Sequence, residues 1–181
     1  MGGISTLSAD ARTVGSPPVA ASSYKPENGL ALLTFGGRHF TNFFSLQASY
    51  SRNSNDALLA GLNLNAKTSY EVPRNVRMQT LGLEAMAYFR ARDNRLRPYL
   101  SAGPVVTWMN ATPGTAPFRI HSTTAGVRVA VGMDLRVAPR IDLRYTFSET
   151  VQGNAISQAL DPAGQRKLAN FQNLWGVVFR F

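Results

Sequence analysis

The chain contains no cysteine, which excludes a disulfide and a thiolate metal site but assigns no compartment, since many exported chains also do without it. Lysine and glutamate are nearly as scarce. The only lysines are Lys25, Lys67 and Lys167, sixteen of the nineteen basic residues are arginine, and four glutamates serve all 181 residues. A water-facing surface normally mixes Lys with Glu, so little of this chain reads as ordinary water-facing surface. No run of eighteen apolar residues occurs, which excludes a transmembrane helix. The opening MGGISTLSADAR has neither a basic nor an apolar segment of signal-peptide type, so an exported protein would be represented by a mature or truncated form with an added Met. Two histidines, His39 and His121, stand far apart, and no His/Asp/Glu cluster has ligand spacing, so neither a metal nor another cofactor is expected. The net charge of +9 suits nucleic acid or an anionic membrane surface. Nucleic acid would need arginines beside stacking aromatics; here the two fall on opposite faces, and no nucleic-acid partner is expected.

What the chain does have is alternation. In Thr123–Val137, Ala125, Val127, Val129, Val131, Met133, Leu135 and Val137 occupy odd positions. Thr124, Gly126, Arg128, Ala130, Gly132, Asp134 and Arg136 occupy even ones. A period of two belongs to a β-strand. Fifteen residues exceed the usual globular strand of about five or six and suffice for a tilted membrane crossing, which takes about 9–11. After Ala138-Pro139 the alternation resumes, with Ile141, Leu143, Tyr145 and Phe147 opposing Arg140, Asp142, Arg144, Thr146 and Ser148. The pair reads as a tight hairpin.

Taken in order, residues 1–28 are rich in Gly, Ser, Ala and Pro and read as an extended lead-in, and 29–181 as the domain proper. Strands are expected at 29–40, 44–51, 57–65, 76–90, 97–109, 123–137, 140–148 and 170–181, which makes eight. Arg52–Asp56 reads as a turn by composition, 67–75 as a polar loop, and Pro104 as a bulge or strand break. Links 110–121 and 150–169 are long, while 52–56, 91–96 and 138–139 are short. The short Thr41-Asn42 breaks this rhythm. An alternative numbering removes the exception by placing the first strand within 1–28, making 29–40 the second and assigning 57–66 to a large loop.

Alternation alone separates neither a soluble barrel with an apolar core nor a membrane barrel with a polar interior. Three features favour the membrane. The polar face is Gly, Ala, Ser, Thr, Arg and Asp, which suits a narrow interior filled by side chains. Aromatics such as Phe44, Tyr50, Phe89, Trp108, Tyr145, Phe147, Phe171 and Phe181 lie near strand ends, where a lipid-facing band carries its girdles. The links are short at one end and long at the other.

The ending Asn170–Phe181, with Phe171, Trp175, Val177, Phe179 and Phe181 on one face, is similar to the terminal strand of small outer-membrane β-barrel proteins of Gram-negative-type bacteria. FSLQASY at 44–50 and the stretches Tyr88–Arg90 and Arg97–Gly103 also resemble that group. The resemblance covers about 29–181. It implies an all-β, closed antiparallel up-and-down transmembrane barrel of about eight strands, located in the bacterial outer membrane among its lipids and acting as a monomer. It further implies that Trp175, Phe179 and Phe181 signal to the barrel-assembly machinery.

In lipid only a closed barrel satisfies such strands, and closure turns the charged face inward. Glu84, Arg90, Arg97, Arg128, Asp134, Arg136, Asp142, Arg144 and Arg180, with Arg140, are then expected inside, where unpaired charge is costly. Arg128, Arg144 and Glu84 are expected to share a network. Catalysis finds little support: His121-Ser122 with Glu149 only outlines a Ser/His/acid set, and no catalytic residue is assigned. The reading is a structural or surface-interaction barrel with a filled lumen; the alternative is a soluble lipocalin-like barrel whose apolar stripe holds a ligand.

Overall fold

The computed structural model describes residues 1–8, 21–26, 28–63, 68–113, 120–153 and 167–181, with side chains described at 1–7, 28–56, 75–110, 121–153 and 167–181. Among them there is no helix. The strands are β1 (Gly2–Ser8), β2 (Ala21–Pro26), β3 (Asn28–His39), β4 (Phe44–Asn63), β5 (Thr68–Tyr88), β6 (Leu96–Pro113), β7 (Ile120–Ala138), β8 (Ile141–Gly153) and β9 (Lys167–Phe179). From β3 to β9 each strand pairs antiparallel with the next, and β1 joins β3 to β9. That closes a ring of eight. β2 prolongs β3 along β4: Pro26 faces Ala57 and Leu30 faces Ser54, so the line gains one residue between them, as at a bulge.

The short turns 40–43, 89–95 and 139–140 gather at one end with Met1 and Phe181. The strand ends Ser8, Ala21, Asn63, Thr68, Pro113, Ile120, Gly153 and Lys167 lie toward the other end, and residues 9–20, 64–67, 114–119 and 154–166 lie outside the described residues. As in the alternative numbering, the first strand falls within 1–28 and the strand at 29–40 comes second in the ring, which accounts for the short Thr41-Asn42 link; its assignment of 57–66 to a loop fails, because 57–63 are strand.

Several expectations are corrected. Residues 2–8 are not lead-in but the first strand, paired on both sides. Its composition hid it: small residues suit the close approach, since a Cβ on Gly3 would strike the Asn173 carbonyl. Nor is 52–56 a turn, because β4 runs through it to Asn63 and 57–63 belong to the same strand. Asn53 and Asn55 are buried there, and Asn55 Nδ2 donates to Ser5 O at 2.7 Å. A polar interior satisfies side chains that elsewhere prefer turns. Likewise 68–75 is strand, facing β4 throughout, and the links 110–121 and 150–169 contract as β6, β7, β8 and β9 lengthen.

At Pro104 the strand is unbroken. The β5–β6 ladder lapses between Gly82–Val105 and Ala85–Ala102 and resumes in the same register, as a residue without an N–H requires.

Burial runs opposite to that of a soluble protein. Val127, Val129 and Phe179 are 53%, 52% and 63% exposed, whereas Ser148, Gln172 and Asn53 are 1–2% exposed. The buried face is the inner face of the ring. It is not uniformly polar: Leu7, Val76, Met78, Met109 and Leu168 are buried, as are Met86, Tyr88 and Tyr99. This overturns the soluble-container alternative, because Val127, Val129, Leu143 and Phe179 face outward instead of forming a core.

Interior space is tight. A side chain on Gly132 would meet the Tyr145 carbonyl and the Tyr99 hydroxyl, which is itself bonded to Thr146. Gly132→Val is therefore expected to destabilise the barrel by about 1–3 kcal/mol through overpacking, read as a lower urea midpoint in micelles.

Candidate functional site: the interior charge clusters

The alternation of β4–β9 sends one side chain in two to the inner face, and there the charges meet in separate clusters. On β7 and β8, Asp134 pairs across the ladder with Arg144. Arg144 Nε and Nη2 donate to the two Asp134 oxygens at 2.6 and 2.7 Å, a bidentate bond. Arg144 Nη1 donates to Gln47 Oε1 at 2.7 Å and Nη2 to the Tyr88 hydroxyl at 3.0 Å; that hydroxyl donates to Asp134 at 3.2 Å. The guanidinium thus spans the ring from β8 to β4.

Nearer the middle, Glu84 on β5 lies 3.6 Å from Arg128 on β7. The carboxylate accepts from Ser49 at 2.7 Å and Ser101 at 3.1 Å, while Arg128 donates to Ser148 and Gln172, both at 3.1 Å. Strands β4, β5, β6, β7, β8 and β9 are joined by this one group. Toward the short-turn end Arg180 donates to Asp142 at 2.6 Å.

The remaining expectations divide. Arg97 is buried, but without an acid: it lies 3.8 Å over the Tyr88 ring and donates to Asn42 O. Arg136 is half-buried and caps the 89–95 turn by donating to the carbonyls of Arg92 and Asp93. Arg90 and Arg140 are exposed, which corrects their inward placement. Arg90 lies two residues beyond the last β5–β6 pair, Tyr88–Tyr99, where alternation no longer sorts inside from outside. The expected trio is also split, with Arg128 on Glu84 and Arg144 on Asp134.

Gln47, Ser49, Tyr88, Ser101, Ser148 and Gln172 complete these clusters and were not singled out from sequence. Tyr88, Ser101, Ser148 and Gln172 share parity with an inward charge on their own strand, and Gln47 and Ser49 fall on the polar side of β4's alternation, which was the available signal. His121 is held by Asn110 on the outer side of β6–β7, and Glu149 faces Val129, eight residues down β7. His121, Ser122 and Glu149 are not brought together. Among the described residues no group of acids and histidines could hold a metal. Trp175, Phe179 and Phe181 are all exposed along the outer face of the last strand.

A model of the outer membrane protein beta-barrel domain matches residues 3–181. No curated protein matches in sequence. The fold is similar to that of Neisserial surface protein A, at 16% identity over 99% of this chain and 97% of that one with a TM-score of 0.61. It is also similar to outer membrane protein OprG from Pseudomonas aeruginosa, at 11% identity over 98% and 90% with a TM-score of 0.57. At such identities the likeness is one of fold.

Proposed function

The chain belongs to the outer membrane protein β-barrel domain family, and from that premise we propose an integral barrel with a structural or surface-interaction role, a lumen sealed by side chains and no catalysis. Its location is the bacterial outer membrane. One observation carries the reading: valines and aromatics are exposed around a ring whose buried face holds Glu84, Arg128, Asp134 and Arg144 in mutual contact. In water such an arrangement loses the hydrophobic driving force; in lipid it keeps it. The lumen of an eight-stranded ring has room for side chains only. The protein works as a monomer, and contact with partners or surface polysaccharide falls to the long-link end.

Refolding tests this directly. Residues 1–181 should reach a compact, heat-modifiable form only with micelles or vesicles, and a soluble folded monomer without detergent would overturn the reading. Planar bilayers should show no unit conductance; well-defined steps would overturn the sealed lumen.

Trp175, Phe179 and Phe181 form the signal read by the assembly machinery. Deleting Phe181 together with Phe179→Ala is expected to cut the folded barrel recovered from outer membranes several-fold while leaving refolding into micelles intact. Equal losses in both settings would reduce those aromatics to ordinary lipid-facing packing.

A further inference from the structure

The outer face of β4 and β5 changes character part-way along. From the short-turn end the ladder sets Phe44 beside Ala87, Leu46 beside Ala85, Ala48 beside Leu83 and Tyr50 beside Leu81; then come Arg52 beside Gln79, Ser54 beside Arg77 and Asp56 beside Asn75. Four largely apolar rows give way to three polar ones. Arg52, Ser54, Asp56 and Arg77 are exposed on this face, and Asn75 and Gln79 half-buried. The flanking strands stay apolar. Leu30 and Leu32 on β3, beside Ser54 and Arg52, are 79% and 65% exposed, and Val106 and Trp108 on β6 stand beside Leu81 and Gln79.

Depth makes this panel costly. Phe44 to Arg52 is about 26 Å of strand, which at a tilt of about 35–45° rises about 20 Å, less than the roughly 25 Å of an apolar band. The Arg52 backbone therefore lies within the lipid-facing band, where a guanidinium needs an anion. Among the described residues Arg52 makes no hydrogen bond or ion pair. Arg77 donates only from Nε, to Asn75 Oδ1 at 3.3 Å, which leaves its Nη fork without a partner. The other polar groups serve one another: the Tyr50 hydroxyl donates to Gln79 at 2.9 Å, and Asn75 Nδ2 donates to Ser54 at 3.2 Å and Asp56 at 2.8 Å.

We propose that this panel binds a phosphorylated glycolipid of the outer leaflet. Short turns of such barrels face the periplasm, so the panel, set toward the other end, meets the outer leaflet. Arg52 and Arg77 are diagonal neighbours across the ladder, about 7–8 Å apart, and grip one phosphate between two guanidinium forks. Asp56, Asn75 and Gln79 offer carboxylate and amide groups to sugar hydroxyls, and acyl chains lie over Leu32, Leu81 and Leu83. An anionic phospholipid satisfies the arginines but supplies few hydroxyls for Asp56 and the amides. The inference rests on the membrane reading above and names a ligand class for its surface contacts.

The test uses the refolded full chain in phosphatidylcholine nanodiscs doped with lipid A bearing two phosphates, with lipid A stripped of both, or with phosphatidylglycerol, read by native mass spectrometry. Bisphosphorylated lipid A should be retained over the other two. Arg52→Gln with Arg77→Gln should lower its retention about thirtyfold, and Asp56→Asn should narrow its lead over phosphatidylglycerol. Arg140→Gln, at the short-turn end, should change neither. Every variant should keep the heat-modifiable form, which separates lost binding from lost folding. Undiminished retention in the double variant, or equal retention of the three lipids by the unaltered chain, would overturn the proposal and leave the membrane reading standing. Failure of the unaltered chain to insert into any disc would overturn the membrane reading, and the lipid site with it.

Discussion

Asp134→Leu is expected to cost the folded barrel about 3–5 kcal/mol, the largest loss of any single substitution in the interior. The magnitude comes from what is left behind. Arg144 is almost wholly buried, and without Asp134 its guanidinium keeps only neutral partners, hydrogen bonds to Gln47 and the Tyr88 hydroxyl and the rings of Phe35 and Tyr99. A paired buried charge is tolerated; an orphaned one is not. Removing both partners, as Asp134→Leu with Arg144→Leu, should therefore restore much of the loss. The measurement is equilibrium urea unfolding in micelles across all three variants. Losses that simply add would mean that the two side chains are independently solvated and that the interior is wet.

On the opposite face of the same strand, Val129→Arg is expected to cost about 2–4 kcal/mol. Val129 is the central residue of β7 and its side chain points outward, so an arginine there would be held near the middle of the hydrocarbon. The effect should fade with depth. Val137→Arg, at the short-turn end of the strand, should cost about 0–1 kcal/mol because its head can reach the interface. Folding into vesicles and comparing urea midpoints reads both. Equal costs at the two positions would show that depth, and hence the bilayer, is not what Val129 feels.

Much of the fold was legible where both faces obeyed one rule. β7 and β8 alternate cleanly because lipid demands an apolar residue at every outward position while the interior demands small or charged ones. Legibility failed where the interior's chemistry departed from ordinary strand composition. Asn53 and Asn55 look like turn residues until the inner face is known to let Asn53 donate to Asn55 and Asn55 to Ser5, whose hydroxyl in turn donates to Asn170. β1 escaped notice because seven residues with two glycines carry too little alternation, and its pairing with β9 bridges more than 160 residues of sequence.

The charge clusters were half legible for a related reason. Parity separated Glu84, Arg128, Asp134 and Arg144 from the apolar face, but it cannot tell which acid meets which arginine. That is set by register and by strand tilt across the ring. Where the ladder ends parity fails altogether, as Arg90 and Arg140 show, and Arg136 turns to the carbonyls of the 89–95 turn. Arg97 settles on the face of Tyr88, a contact that a search for acids would pass over.

The account turns on which way the side chains of β7 face, and a chain free of cysteine allows that to be read one residue at a time. Single cysteines from Val127 to Asp134, spin-labelled after refolding into vesicles, should alternate strictly. Labels at 127, 129, 131 and 133 should relax with oxygen dissolved in the bilayer, while those at 128, 130, 132 and 134 should respond weakly to it. The opposite phase, or oxygen accessibility without alternation, would contradict the account.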